Sequence, residues 1–314
     1  MPNFKLVEES AKKIINMEVR GASRIARFAA ETLKEFAKTV EKDFDENMRK
    51  ASEILMNTRP TAVSLFNAIN YVMMYKGEND EEKKADAIRR AEEFIRWVDT
   101  AKQKIGEIGA KRIKDGWTIL THCNSSTALM VIKTAFRQGK NIEVIATESR
   151  PRYQGHLTVK ELAGEGIPTT LIVDSAVRYF MKDVDCVIVG ADTITVNGAL
   201  INKIGTSQIA LCARESRVPF MVCAETYKFS PATLFGELVV IEERDAREVA
   251  PEEILNLGVK VRNPAFDVTP REYIDLIVTE IGAIPPEMAY VIIRERLGYG
   301  LEMGELKVSA KHFD

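Results

Sequence analysis

Residues 117–139 read WTILTHCNSSTALMVIKTAFRQG and join a short apolar run to a helical pattern. The run WTILTHC is rich in apolar and β-branched residues, as expected of a strand, whereas TALMVIKTAFRQG has the apolar spacing of a helix. A cysteine, an asparagine and two serines lie where the strand becomes the helix. The stretch therefore predicts a strand and a helix with reactive and polar side chains at the junction.

The same alternation continues to the end of the chain. Further strand-like runs are IEVIAT, TTLIVD, CVIVGAD, PFMVCAE and LVVIEE, and helical patterns such as VKELAGEG and SQIALCARES lie between them. Short strands that alternate with helices are typical of a parallel sheet with helices on both faces. Residues 116–314 are therefore predicted to form a doubly wound, Rossmann-like α/β domain.

The first 115 residues have a different pattern. Apolar residues recur at intervals of three and four in LVEESAKKIINM, IARFAAETLKEFAKTV and MRKASEILM, each with a charged opposite face. The charged stretch GENDEEKKADAIRRAEEF fits a solvent-exposed helix face better than a binding motif. Residues 1–115 are therefore predicted to form an all-helical N-terminal domain.

Composition excludes several classes of protein. The chain has 314 residues, 29% of them charged, with a net charge of −2, which argues against binding nucleic acid through bulk positive charge. No apolar run approaches the ~20 residues of a membrane span, and the first residues lack the features of a signal peptide. Four cysteines without CxxC spacing disfavour a zinc site or a disulfide framework. We therefore expect a cytoplasmic protein without a membrane contact or a bound metal.

Ligands of doubly wound sheets bind at the carboxyl ends of the strands, so the residues that follow each run are expected to converge on one cleft. Cys123 follows the first run, and its alternative interpretation is a small buried core residue. At the start of a helix its thiol would face N–H groups that favour the thiolate, so Cys123 is a candidate base or nucleophile. His122 adjoins it but should face the other side of the strand, which weakens a cysteine–histidine mechanism.

Asp192 ends the run CVIVGAD at the same predicted edge. A turn or a helix cap would also explain an aspartate there. Near a thiol in an apolar pocket, however, its carboxyl group could keep a proton near neutral pH and act as a general acid. Cys123 and Asp192 together are more specific evidence for a catalytic site than either residue alone.

Cations and small polar residues lie near the same junctions. Exposed arginines that end helices are the alternative interpretation, but this composition also suits phosphate groups. The absence of GxGxxG and GxxxxGK[ST] disfavours dinucleotide and P-loop nucleotide cofactors, so the predicted ligand is a phosphorylated small molecule. The candidate phosphate-binding residues are Arg20, Gly21, Ala22, Ser23, Arg59, Arg150, Arg152, Asn202, Lys203 and Lys228.

Longer motifs carry a resemblance to a known family. The stretches RGAS, NTRPTAVSLFNAI, THCNSS, ESRPRYQG, VIVGADTITVNGALINKIGT, AETYKF and NPAFDVTP resemble the family of methylthioribose-1-phosphate isomerases, ribose-1,5-bisphosphate isomerases and regulatory subunits of translation initiation factor 2B. The resemblance covers nearly the whole chain, and it is greatest to the archaeal ribose-1,5-bisphosphate isomerases. The regulatory subunits commonly lack the cysteine and the aspartate that the isomerases use.

The resemblance implies specific roles. It assigns catalysis to Cys123 and Asp192, without a metal or a redox cofactor. It also implies AMP salvage, AMP as an activator, and a homo-oligomer built from dimers, with a hexamer as one option. Substrate contacts fall on Arg20, Gly21, Ala22, Ser23, Arg59, Ser125, Ser126, Thr127, Asn202, Lys203 and Lys228.

One departure bears on the substrate. Methylthioribose-phosphate isomerases typically read THCNTG, whereas this chain reads THCNSS, with Ser126 in place of glycine. A polar residue there suits a second phosphate better than a methylthio group. The expected activity is thus the isomerisation of ribose 1,5-bisphosphate to ribulose 1,5-bisphosphate by way of a cis-phosphoenolate. Methylthioribose-1-phosphate isomerase and a non-catalytic regulatory subunit are the alternatives.

Overall fold

The chain divides into two compact units, Met1–Ala101 and Lys102–Asp314. A computed structural model describes residues 2–19, 21–59, 62–231, 233 and 240–297. The division falls inside one long helix, Asp80–Ala110. The predicted boundary after residue 115 counts that whole helix with the first domain, and it stays a prediction.

The first unit is helical, as predicted. Its helices bury apolar stripes that include Leu33, Phe36 and Leu55, all fully buried. The charged stretch after Gly77 begins the longest helix, where three acidic residues lie in the first turn and interact favourably with the helix dipole. The helices are α1 (Phe4–Ile15), α2 (Ala22–Thr39), α3 (Phe44–Met56), α4 (Val63–Met73) and α5 (Asp80–Ala110).

The second unit contains a seven-stranded sheet in the order β10-β9-β7-β4-β1-β2-β3. All neighbours are parallel except β9 and β10. The described strands, in chain order, are β1 (Thr118–Thr121), β2 (Glu143–Thr147), β3 (Thr169–Ile172), β4 (Cys186–Gly190), β5 (Thr193–Ile194), β6 (Leu200–Lys203), β7 (Phe220–Cys223), β8 (Phe266–Thr269), β9 (Leu276–Thr279) and β10 (Gly282–Ile284). This mostly parallel sheet confirms the predicted α/β class.

The strand order places a switch point between β1 and β4. The chain runs outward from β1 to β2 and β3, returns to pair β4 with β1, and then runs the other way to β7 and β9. Right-handed crossovers put the helices of the two directions on opposite faces of the sheet. The crevice at the carboxyl ends of β1 and β4 is therefore where such a sheet binds ligands.

Helices pack on the sheet through buried aliphatic side chains. Val131 and Ile132 from one helix lie in the same core cluster as Ile119 of β1 and Ile188 of β4.

Among the described residues, no helix is both long enough and apolar enough to cross a membrane. The helices of this unit are α6 (Ser126–Arg137), α7 (Gln154–Gly164), α8 (Val177–Phe180), α9 (Thr206–Ser216), α10 (Glu252–Leu255) and α11 (Ala289–Leu297).

A small second sheet was not predicted. Its strands β5, β6 and β8 pair antiparallel, with Asn202 of β6 opposite Asp267 of β8. The first two form a hairpin whose turn includes Gly198 at φ 83°. This sheet continues the chain directly after Asp192 and carries Lys203 at the end of β6.

The predicted strand LVVIEE is wrong for the residues that the structure describes. Residues 240–243 form no strand, and Glu243 makes only an isolated bridge to Pro264. Leu238 and Val239 lie outside the described residues. The place beside β7 is taken by β9, whose short apolar run has the same local pattern, because pairing with β7 depends on contacts distant in sequence.

Candidate active site

Cys123 lies two residues after β1, and its backbone is held on both sides. Its φ of 65° is a left-handed conformation that is uncommon outside glycine. The N–H of Cys123 donates to Ser149 Oγ at 2.8 Å, and its carbonyl accepts from Thr158 Oγ1 at 2.7 Å. Side chains from the end of β2 and from α7 therefore fix the backbone that carries the thiol.

The start of α6 lies against the end of β4. Ser125 caps this helix, with its Oγ accepting from the N–H of Ala128 at 3.3 Å. A Cβ on Gly190 would come within 2.1 Å of Ser125 Oγ, so glycine is needed before Ala191 and Asp192. The ends of β1 and β4 thus meet at the switch point, as the sequence predicts.

Burial raises the pKa of the Cys123 thiol to about 11. Lys203, the Asn124 N–H and Arg244 each act to lower that pKa, and the carboxylate of Asp192 acts to raise it. The expectation that the helix start favours the thiolate is therefore wrong for this structure, because desolvation outweighs it. The same interactions bring the predicted catalytic pair and Lys203 into one electrostatic cluster.

Lys203 and Arg244 form the cationic side of this cluster. Lys203 Nζ lies 5.1 Å from the centroid of the Phe266 ring, and Arg244 Cζ lies 5.9 Å from it. Lys203 Nζ also donates to the carbonyl of Ala265 at 3.0 Å, and Arg244 Nε pairs with Glu242 at 3.1 Å. Burial and the positive charge of Arg244 lower the pKa of Lys203, while the Cys123 and Asp192 charges raise it. Two cations therefore lie near one aromatic ring, and both act to lower the pKa of the thiol.

Lys228 lies in a second, fully buried network. Its Nζ is 2.8 Å from Glu225 Oε2 and donates to the carbonyl of Ala191 at 2.9 Å. Glu225 Oε1 accepts from Thr127 Oγ1 at 2.8 Å. Burial acts to raise the pKa of Glu225, but Lys228 and Thr127 outweigh it and hold that pKa below its ordinary value. Lys228 thus fixes the residue before Asp192, and its predicted contact with substrate stays a prediction.

The structure also places four other predicted residues of this unit. Asn202 Nδ2 donates to Thr206 Oγ1 at 3.0 Å at the start of α9. Arg150 is exposed and lies over the ring of Tyr153, at 4.9 Å from its centroid. Ser126 begins α6. Arg152, a candidate phosphate-binding residue, pairs with Glu248.

The remaining predicted contacts belong to the helical unit. Gly21 precedes α2 with φ 91°, and the carbonyl of Ala22, its first residue, accepts from Ser64 Oγ at 3.1 Å. Ser23 follows in the first turn of α2, and Arg59 lies after α3. Arg20 lies outside the described residues. The part of these residues in the site stays a prediction.

Sequence reasoning missed two candidate site residues. Arg244 was hidden in a stretch interpreted as a strand and its charged flank, and only the fold brings it beside Lys203. Gln154 begins α7 after β2, and within the described ranges its Oε1 is buried without a hydrogen-bond partner. A buried polar atom in this situation usually has a partner that the chain itself does not supply.

Across the described parts of the chain, no three histidine, cysteine, aspartate or glutamate side chains are grouped as a metal would require. The described residues of the candidate site supply a thiol, a carboxyl group and cations.

Comparison with known proteins gives one consistent result. The model of the initiation factor 2 subunit family matches residues 18–286. The chain is 74% identical to the ribose 1,5-bisphosphate isomerase of Archaeoglobus fulgidus over 98% of this chain and 99% of that protein. It is 57% identical to the protein of that name from Methanocaldococcus jannaschii, over 95% and 98% of the two chains.

A solved structure agrees in fold. The crystal structure of the Pyrococcus horikoshii translation initiation factor eIF-2B superposes with a TM-score of 0.78 at 34% identity, covering 91% of this chain and 98% of that one. Sequence and fold thus agree over nearly the full length. The chain belongs to the initiation factor 2 subunit family, alongside members that are named as sugar-phosphate isomerases.

Proposed function

We propose that the chain converts α-D-ribose 1,5-bisphosphate to D-ribulose 1,5-bisphosphate. The observation that carries the proposal is the cluster of Cys123, Asp192, Lys203 and Arg244 at the switch point of the sheet. It offers one proton donor, one proton acceptor and two cations. An aldose–ketose isomerisation of an anionic sugar needs these groups.

The reaction begins with ring opening. The anomeric phosphate prevents a simple free aldehyde, so opening leaves a positively charged C1–O unit that makes the C2 hydrogen acidic. Protonated Asp192 donates to the ring oxygen as the C1–O ring bond breaks. Cys123 then takes the proton from C2 to give an enol phosphate. The Asp192 carboxylate takes the proton of the C2 hydroxyl group, which gives the cis-phosphoenolate and restores the acid, and Cys123 returns its proton to C1. No proton or electron is gained or lost overall.

The proposed mechanism uses the state in which Cys123 is a thiolate and Asp192 is protonated, and the charge of each group affects the other. Asp192 raises the pKa of Cys123 only while its carboxyl group is charged. Moving one proton from the thiol to the carboxylate therefore removes the negative charge that opposes ionisation of the thiol. The same transfer produces the thiolate and the protonated acid together. This transfer leaves the net charge of the cleft unchanged.

Cations close to the thiol would hold and orient the substrate. Lys203 and Arg244 suit one phosphate, and the family resemblance assigns further substrate contacts to Arg20 to Ser23 and to Arg59. The buried Oε1 of Gln154 suits a sugar hydroxyl group. Fixing both ends of a pentose orients C2 against the sulfur, which can lower the barrier by several kcal/mol.

The biological setting follows from the same proposal. Ribulose bisphosphate formed in this way would serve the salvage of AMP in the cytoplasm, because a bisphosphate does not cross membranes unaided. We propose AMP as the activator and a homo-oligomer of dimers as the working form. Size measurement in solution, with and without AMP, tests both points.

Incubating purified protein with the bisphosphate and following ketose formation by NMR tests the activity. Cys123→Ser and Asp192→Asn should abolish turnover while folding and substrate binding persist, because each removes a proton-transfer group and little volume. Cys212→Ser, on helix α9, is the matched control and should keep full activity. Near-normal turnover in either catalytic variant would refute its assigned role.

Parallel incubations separate the alternatives. Turnover of methylthioribose 1-phosphate in preference to the bisphosphate would favour the second isomerase activity. A lack of turnover with both sugars, combined with binding to an initiation factor, would favour a regulatory subunit. Turnover of the bisphosphate alone supports the proposal.

A further inference from the structure

His122 is a buried residue that connects two parts of the candidate site. Its side chain is 1% exposed at the end of β1. Nδ1 lies 2.5 Å from Thr147 Oγ1 and 3.3 Å from Ser149 Oγ, and Nε2 lies 2.8 Å from the carbonyl oxygen of Ile204. Both ring nitrogens are thus engaged, each by a different segment of the chain.

These partners determine the tautomer. A carbonyl oxygen only accepts hydrogen bonds, so Nε2 must carry the proton that it donates to Ile204. Nδ1 is then an acceptor, and the hydroxyl of Thr147 can donate to it. Burial lowers the pKa of His122, and Lys203 acts in the same direction, while the Ile204 carbonyl and Asp174 act against them. The ring is therefore held neutral.

The Nδ1 side of the ring leads to the thiol. Ser149, which lies within reach of Nδ1, accepts the N–H of Cys123 through the same Oγ. Its own N–H donates to Asp174 Oδ1 at 2.8 Å. Cys123 and Ser149 both have left-handed backbones, at φ 65° and 60°. Such conformations cost roughly 1–3 kcal/mol each and persist only when neighbouring groups hold them.

The Nε2 side of the ring leads to the cations. Ile204 follows Lys203 directly and precedes Gly205, the N-cap residue of α9. A Cβ on Gly205 would lie 3.2 Å from Cε1 and 3.3 Å from Nε2 of His122. The ring therefore packs closely against the turn that follows Lys203. Movement of the ring would displace this turn.

We propose that His122 is a positioning residue that fixes the Lys203 turn relative to the Cys123 thiol and transfers no proton itself. The inference deepens the proposed isomerase function and rests on it. It assigns one task to each ring nitrogen. Nδ1 supports the loop that carries Cys123, and Nε2 supports the turn that follows Lys203. The two tasks can be separated by substitution, because an asparagine side chain reaches only the Nδ1 position and a glutamine reaches the Nε2 position.

NMR of the wild-type chain tests the tautomer without reference to activity. The sequence has three histidines, so the long-range 15N–1H correlations of His122 are those that persist in both His156→Asn and His312→Asn. We expect protonated Nε2 and unprotonated Nδ1, without titration between pH 6 and 8. Protonated Nδ1, or titration in that range, would overturn the proposal. This result stands whether or not the wild-type chain turns over the bisphosphate.

Steady-state kinetics then tests the two tasks. His122→Asn keeps an acceptor near Thr147 and loses the bond to Ile204, so KM should rise about tenfold with little change in kcat. His122→Gln keeps the bond to Ile204 and loses the acceptor, so kcat should fall at least about tenfold with KM nearly unchanged. Exposed His156→Asn is the control and should behave as wild type.

Several outcomes would contradict the assignment. Equal loss of kcat in both variants, with KM unchanged, would indicate a proton-transfer or purely structural role. Wild-type kinetics in both variants would show that the ring positions nothing. A variant pH–rate profile that lacks a step near pH 6 to 7 present in the wild type would make His122 a proton-transfer group. If neither variant folds, the wild-type NMR result decides the question alone.

Discussion

The ionisation of Cys123 gives a quantitative prediction for the pH dependence of the reaction. With the pKa of the thiol at about 11, roughly one molecule in a thousand carries the thiolate at pH 8. Each additional pH unit below 11 raises that fraction about tenfold. The rate of Cys123 alkylation should therefore rise about tenfold per pH unit from pH 7 to pH 9.5. The value of kcat/KM should rise less steeply, because the proposed mechanism also needs a proton on Asp192.

Two measurements check this prediction. NMR gives the rate of ketose formation at constant ionic strength, and circular dichroism confirms the fold at each pH. The rate of iodoacetamide alkylation reports thiolate directly and needs no substrate, with Cys123→Ser giving the contribution of the other cysteines. The alkylation profile should rise more steeply with pH than the profile of kcat/KM.

A plateau at or below pH 8 in the alkylation profile would refute the reasoning. It would mean that the thiolate is already formed near neutral pH and that cations outweigh burial. Lys203→Met offers a second check, because Lys203 is the first of the groups that lower the pKa of Cys123. Its loss should move the alkylation profile to higher pH, and an unmoved profile would show that the ammonium does not act on the sulfur.

Three further predictions concern stability. Glu225→Gln should lower the free energy of unfolding, measured in urea, by about 3–5 kcal/mol, because it leaves buried Lys228 without its anion; an unchanged midpoint would contradict the buried pair. Gly155→Ala should lower the free energy of unfolding by about 3 kcal/mol, because its Cβ would lie 1.8 Å from a backbone oxygen. Gly164→Ala, at the end of the same helix, is the control, because its Cβ would meet nothing within 4 Å. Equal stability of the two variants would argue against the close approach at Gly155. The pKa of His122 is lower in the folded chain than in the unfolded chain, where it is about 6.5. Its contribution to stability is therefore present above pH 6.5 and is lost as the pH falls below that value. From pH 6.5 to 5, the wild type should lose stability more steeply than His122→Asn.

The convergence of the strand ends could be predicted because it depends on local pattern and one topological rule. A strand-like run before Cys123 and another before Asp192 are visible in the sequence, and parallel strands end at one edge of a sheet. The order in which β4 returns beside β1 places both strand ends at the switch point. The catalytic roles of Cys123 and Asp192 stay predictions.

Other features depend on contacts between distant segments. The strand β9 and the run at 238–243 have similar composition, and only pairing with β7 distinguishes them. Arg244 joins the site because residues after β7 and residues of β8 meet at the ring of Phe266. The direction of the Cys123 pKa was predicted wrongly for the same reason. The helix start is local and visible, whereas burial is a property of the whole fold.

The effect of the Asp192 charge on the pKa of Cys123 leads to a final prediction. Asp192→Asn removes a charge that raises the pKa of the thiol, so alkylation of Cys123 should become faster at pH 8 by a few fold. Turnover should nevertheless be lost, because the amide cannot donate a proton to the ring oxygen. Reactivity of the thiol and catalysis should thus change in opposite directions. Parallel loss of both would mean that Asp192 acts on the fold of the loop, and an unchanged alkylation rate would mean that the carboxyl group lies too far from the sulfur to share its proton.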